Sequence, residues 1–202
     1  MLPIRTLSLL CLVFLLISAA PSQAQSCKER FITAATKGNG DGQYRQIVTQ
    51  KISGGQGDTV HEFIMNSQRH WLTKPIKPKG IGWTLLFDGV MYSSLDEGGS
   101  WREITKFDEK SAEAARAQQK RDVNNVTKLA CGTEKIEGKT LDRIHGQYDV
   151  TAGFKSTQIH TYWIDPDTGL IVLSNYETKS DSFNSTVSQK MIPFGDAMVP
   201  TP

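Results

Sequence analysis

The side chains able to do chemistry are few and scattered along this 202-residue chain. Four histidines occur, His61, His70, His145 and His160. A helical zinc site of the His-Glu-x-x-His type would need a second histidine where Met65 follows His61-Glu62, so that pattern is absent. His145 and His160 could lie on neighbouring strands, but two imidazoles without further ligands do not make a metal centre. No Gly-x-Ser-x-Gly elbow is present. The run Gly38-Asn39-Gly40-Asp41-Gly42 is not followed by the Gly-Lys-Ser/Thr that grips phosphate, and it reads as a turn. The carboxylate pairs Asp96/Glu97 and Asp165/Asp167 sit in turn sequences, where stapling the backbone accounts for them. These residues assign no catalytic group, no metal ligand and no cofactor. A hydrolase is retained only as a third reading, since it would need a cleft with convergent titratable groups.

The two cysteines that matter are fixed by the amino terminus. Arg5, the apolar run from Leu7 to Ile17 and the small-residue stretch ending at Ala24 have the three-part form of a bacterial-type export signal. Its apolar core is little more than half the ~20 residues needed to span a bilayer. Cleavage is expected between Ala24 and Gln25, which removes Cys11 and leaves Cys27 and Cys131. In an oxidising compartment a remaining pair implies a disulfide. The alternatives are two free thiols, or lipid attachment at Cys27; large, polar Gln25 is unsuited to a lipidation signal. Removing Arg5 from the 23 Lys+Arg leaves 22 against 21 Asp+Glu. That near-neutral balance argues against a nucleic-acid partner and against strong attraction to anionic membranes. No second stretch approaches membrane-spanning length, so the expected product is a single periplasmic domain, residues 25–202, with no stable membrane span.

The elements around these residues read as mainly β. Residues 27–37 predict a short helix ended by the glycine run. Strand-like runs follow at 44–52, 59–72 and 83–87, with Val60, Glu62 and Ile64 alternating against His61, Phe63 and Met65. Residues 109–125, rich in Ala, Gln, Lys, Arg and Glu, predict one long surface helix capped by Ser111 and resting on its alanine face. Further strands are expected at 127–135, 141–152, 158–164, 170–176 and 186–193, before an irregular tail. The spacing of turns is that of antiparallel meanders.

Two turn signatures stand out. Ser94-Leu95-Asp96-Glu97-Gly98-Gly99-Ser100-Trp101 resembles the Asp-box of sialidases and related propellers. It occurs once, without the repeat a propeller needs, and so predicts a hairpin stapled by Asp96, with Gly98 at positive φ and Trp101 packed against it. Tyr162-Trp163-Ile164-Asp165-Pro166-Asp167-Thr168-Gly169-Leu170 predicts a strand, a turn stapled by Asp165 with Gly169 at positive φ, and a returning strand.

Gly132-x-Glu134-x-x-x-Gly138-Lys139-x-x-x-Arg143 followed by the Trp-Ile-Asp-x-x-Thr-Gly-Leu turn resembles the outer-membrane lipoprotein carrier (LolA-like) superfamily, over about residues 128–177. The resemblance implies an unclosed β-barrel, a curved antiparallel sheet with covering helices, whose concave face holds acyl chains. On that basis Trp83 and Trp163 are candidate linings of an apolar cavity. The leading reading is a periplasmic, non-enzymatic binding or carrier protein for a lipid, a lipoprotein acyl chain or another apolar ligand. The alternative is a structural or interaction module of the cell envelope without a small ligand.

Overall fold

A computed structural model describes residues 25–55 and 57–202. The expected export segment, with Cys11 and Ala24, lies outside the described residues. The elements are α1 (Cys27–Lys37), β1 (Tyr44–Ile52), β2 (Thr59–Ser67), β3 (His70–Lys77), β4 (Trp83–Phe87), β5 (Val90–Ser94), β6 (Arg102–Lys106), α2 (Glu109–Asn124), β7 (Thr127–Ile136), β8 (Lys139–Val150), β9 (Ser156–Ile164), β10 (Ile171–Lys179) and β11 (Asn184–Ile192).

The strands form one antiparallel sheet in the order β6-β5-β4-β3-β2-β1-β11-β10-β9-β8-β7. Six strands meander outward from the middle and five meander back, so β1 and β11 meet at the centre. The outermost strands β6 and β7 do not pair with each other, and the barrel stays open. In sequence, α2 is the segment that joins these two free edges.

Helix α1 starts where Ser26 caps it. Ser26 Oγ accepts from the Glu29 amide at 3.2 Å, and Glu29 Oε2 accepts from the Ser26 amide at 2.9 Å, a reciprocal capping box. The helix buries Phe31 and Ala34. The Phe31 ring meets Tyr148, Tyr162 and His160 at centroid distances of 6.4, 5.8 and 6.4 Å. It sits over Gly146 in the middle of β8. A Cβ there would lie 2.7 Å from Val126 and 2.8 Å from the Phe31 ring, so only glycine leaves room for the helix. The disulfide Cys27–Cys131 ties the first turn of α1 to β7, with Cα atoms 5.9 Å apart.

Helix α2 is seated differently from the expectation. Asp108, not Ser111, is its N-cap; Asp108 Oδ2 accepts from the Ser111 amide at 2.8 Å and its hydroxyl at 2.6 Å. The alanine face stays largely exposed, because alanine offers too little apolar area to dock a helix. The anchor is the last turn, where Val123 is fully buried and Asp122 accepts from Gln118 (3.0 Å) and Thr151 (2.8 Å).

The pleat divides the sheet into two faces. The face carrying α1 bears Ile144, Gly146 and Tyr148 of β8, His160 and Tyr162 of β9, Tyr176 of β10, Gln189 of β11, Val48 of β1 and Phe63 of β2. The opposite face holds a second core of Ile64, Leu72 and Leu85, all fully buried. Phe194, Ala197 and Val199 of the carboxy-terminal tail pack over it, and the ring of His70 donates through Nε2 to the Pro200 carbonyl at 2.9 Å. The stretch 59–72 read as one strand is two, broken at Gln68-Arg69, where Ser67 Oγ accepts from the Arg69 amide at 3.3 Å.

Candidate functional site

Between the carboxy-terminal end of α1 and the sheet lies a cleft of about 250 Å³. Its floor is built where the first strand of the chain meets the last. Tyr44, Gln46 and Val48 come from β1, His61 and Phe63 from β2, Ser174 and Tyr176 from β10, and Gln189 from β11. Alternation along each strand places all of these on the face that carries α1. Ile171 and Val172 close one side, and Gly38 and Asn39 of the loop after α1 form the lip.

The lip is held in place by one side chain. Asn39 Nδ2 donates to the Ile171 carbonyl at 3.1 Å, and Asn39 Oδ1 accepts from the Ile171 amide at 2.7 Å. The asparagine thus pairs with the first residue of β10 as a neighbouring strand would, and fixes the loop across 132 residues of sequence. Gln119 of α2 donates to the Ala35 carbonyl at 3.1 Å, linking the two helices.

Tyr44 and Phe63 lie with ring centroids 6.0 Å apart, and Phe63 continues to Trp71 at 5.5 Å, giving the cleft an aromatic wall. Gln189 is oriented by two hydroxyls: its Oε1 accepts from Ser174 Oγ at 3.0 Å and from the Tyr176 phenol at 3.3 Å. Burial lowers the pKa of His61, so its imidazole is neutral at pH 7. Burial, then the neighbouring Tyr176, raises the phenol of Tyr44; burial likewise raises that of Tyr176.

Beside the cleft, under α1, His160 is enclosed by Phe31, Tyr148, Tyr162 and Tyr176. Its Nδ1 is 2.7 Å from the Tyr162 hydroxyl, and burial pushes its pKa down to about 4. A neutral, hydrogen-bonded imidazole inside an aromatic box holds the core together and has no access to a substrate. His145, expected as its possible neighbour, lies on the adjacent strand but on the other face, with Nδ1 2.9 Å from Thr161 Oγ1. Among the described residues, no three His, Cys, Asp or Glu side chains converge as metal ligands do.

Trp83 and Trp163 do not border this cleft. Both lie on the opposite face, on β4 and β9, six strands apart in the sheet order. Trp83 lies under the Lys74 ammonium, 4.7 Å from the ring centroid, and borders a separate depression of about 360 Å³ with Ile76, Ile81 and Leu95. The Trp163 indole donates to Glu134 Oε2 at 2.8 Å, and the same oxygen lies 3.4 Å from Arg143. Lys139 bridges to Asp165 at 2.7 Å and Asp167 at 3.3 Å, which depresses the Asp165 carboxyl and raises the Lys139 ammonium. The signature running from Glu134 to Gly169 is therefore a clamp across β7, β8 and β9.

The two turns are stapled from within. Asp96 Oδ1 accepts from Ser94 Oγ (2.7 Å) and the Ser100 amide (2.9 Å), and Oδ2 accepts from Ser100 Oγ (2.7 Å). These bonds, led by the Ser100 hydroxyl, hold the Asp96 carboxyl at a pKa of about 2. Gly98 adopts φ +95° against the rings of Trp83 and Trp101. Asp165 Oδ1 accepts from the Asp167 amide at 3.0 Å, and Gly169, at φ +71°, donates to the Asp165 carbonyl at 2.8 Å.

The chain matches no protein-family model and no curated protein. Among solved structures it is similar to a LolA superfamily protein from Nitrosomonas europaea, with a TM-score of 0.42 and 9% identity over 84% of this chain and 91% of that one. An outer membrane lipoprotein-sorting protein domain from Vibrio parahaemolyticus gives a TM-score of 0.34 and 9% identity, covering 82% and 92%. A DUF1329 family protein from Desulfovibrio piger gives 0.30 and 11%, covering 82% and 90%.

Proposed function

We propose that this protein is an exported, non-enzymatic binding or carrier protein that takes one apolar-bodied ligand, such as a single acyl chain, in the cleft between α1 and the sheet. The observation that carries the reading is the composition of that cleft. Tyr44, Val48, Phe63, Ile171, Val172 and Tyr176 offer apolar surface, and Asn39, Gln46, His61, Ser174 and Gln189 line the same cleft with a polar share at least as large. Small-molecule sites combine aromatic and apolar side chains with placed polar groups that fix orientation, and this cleft has both. At about 250 Å³ the cleft lies below the ~300–1,000 Å³ of drug-sized pockets, which suits one chain or ring system better than a multi-chain lipid. The Cys27–Cys131 bridge supports an oxidising compartment, as the export signal does.

Native mass spectrometry of protein gently purified from the periplasm tests this. An adduct of lipid mass that is lost on Gln46→Trp, which fills the cleft from a half-buried position, is the expected result. Ligand-free wild-type protein that also fails to bind an added apolar probe would overturn it.

One feature favours the second reading, an interaction module. Phe154 and Phe183, on the β8–β9 and β10–β11 turns, stack in solvent with centroids 5.2 Å apart. Chemical cross-linking that captures an envelope protein through these turns, with an empty cleft, would support that reading instead.

A further inference from the structure

The cleft mixes apolar and polar side chains in comparable measure, yet it contains no charge. None of its lining residues is Asp, Glu, Lys or Arg. The nearest charged residue along β1, Arg45, points to the opposite face by strand alternation and pairs there with Glu62. Lys190, the neighbour of Gln189 in β11, lies on that same opposite face and pairs with Glu137 at 2.6 Å. The lip follows the carboxy-terminal end of α1, where the negative end of the helix dipole is matched by Lys37 in the last turn, which is not among the residues lining the cleft.

The polar groups inside are also unspent. Gln189 Oε1 is taken by Ser174 and Tyr176, which leaves its Nε2 amide without a protein partner among the described residues. The Gln46 carboxamide, the Tyr44 hydroxyl and the His61 ring have none either, although all four line the same cavity. Amide, phenol and neutral imidazole can give and accept hydrogen bonds, and none carries a charge at pH 7. An ionised head brought among them would lose water without gaining a counter-charge, a large penalty. A hydroxyl, ester carbonyl or amide would find donors and acceptors already placed.

Resting on the binding reading above, we infer that the cleft selects an uncharged amphiphile: one apolar chain or ring body with a hydroxyl, carbonyl or amide head. It discriminates against the same body carrying a carboxylate, a phosphate or an ammonium group. Gln189 and Gln46 are the head-group contacts, and Tyr44, Phe63 and Val48 hold the apolar body.

The test is displacement of the uncharged fluorophore 1-N-phenylnaphthylamine from the disulfide-bonded protein at pH 7.5 and constant ionic strength. Decan-1-ol, decanoate and decylammonium are the competitors, each below its aggregation concentration. Decan-1-ol is expected to bind at least ~10-fold tighter than either ion, the ratio that ~1.4 kcal/mol of differential desolvation gives. Gln189→Leu should weaken decan-1-ol by roughly 2- to 10-fold, the range for one hydrogen bond, and by more than it weakens the fluorophore. Gln46→Lys should reverse the order and favour decanoate. Decanoate or decylammonium binding as tightly as decan-1-ol to the wild type would overturn the inference and leave the cleft a binding site. Fluorophore binding that is absent, or unaffected by Gln46→Trp, would overturn the binding reading and this inference with it.

Discussion

Gly146→Ala places one methyl group at the point where α1 meets the sheet, and the sign of its effect tests how that helix is seated. In a strand, glycine is less stable than alanine by roughly 0.5–1 kcal/mol, so in open space the substitution would stabilise the protein. Here the new Cβ would meet Val126 Cγ2 at 2.7 Å and two atoms of the Phe31 ring at 2.8 and 3.0 Å. The ring cannot step aside, because Tyr148, Tyr162 and His160 surround it. Overpacking of this kind costs about 1–3 kcal/mol, which exceeds the backbone gain and leaves a net loss on the order of 1–2 kcal/mol. Equilibrium denaturation in urea should show a lower midpoint with an unchanged slope. In a thermal melt, the same loss should appear as a Tm lower by about 2–4 °C for each kcal/mol. Adding Phe31→Leu should rescue part of the loss in the double variant, because the two positions are in contact and their effects cannot be additive. A Gly146→Ala protein as stable as the wild type, or more stable, would refute the account of how α1 is docked.

Further outcomes follow from the same geometry. Removing the bridge by Cys27→Ala with Cys131→Ala opens a loop with a sequence separation of 104, worth up to ~4.7 kcal/mol in the chain-entropy model. It should also free the first turn of α1 and weaken ligand binding at the lip; calorimetry with and without reductant checks both. Burial holds His160 at a pKa of about 4 in the fold, against the ordinary histidine value of about 6.5. The unfolded chain therefore takes up a proton first as pH falls. The His160 contribution should be full above pH 6.5, decline between pH 6.5 and 4 by on the order of 3 kcal/mol, and change no further below, where the depressed carboxyl of Asp96 takes over the loss. His160→Gln should flatten that window in denaturation curves collected from pH 7 to 4. His61 and His145, also lowered by burial, contribute in the same direction.

The parts legible in the sequence were those written in local chemistry. The end of α1 follows from the glycine run after Lys37, the Asp96 and Asp165 turns from their Asp and Gly spacing, and the bridge from the count of cysteines outside the expected export segment. The break at Gln68-Arg69 carries neither glycine nor proline, and Asn66-Ser67 before it are a weaker turn signal, so the two strands read as one. Val123 outweighs the alanines of α2 only because a hollow exists for it in the folded molecule. The cleft was hidden for a deeper reason. Its floor joins β1 to β11, strands at opposite ends of the chain, and that pairing is set by tertiary closure. Asn39 lay in the glycine-rich turn, with nothing to mark its partner Ile171, 132 residues on. Trp83 and Trp163 were put forward by the family resemblance as cavity linings, and they border a surface depression and a strand clamp on the face opposite the cleft.

The central claim is that an uncharged amphiphile occupies the cleft between α1 and the sheet. Titrating ¹⁵N-labelled protein with decan-1-ol and following the amide shifts tests it most directly. The account predicts saturable shifts concentrated on Asn39, Tyr44, Val48, Phe63, Tyr176 and Gln189. Shifts centred instead on Trp83 or on Trp163, or none that saturate, would contradict it.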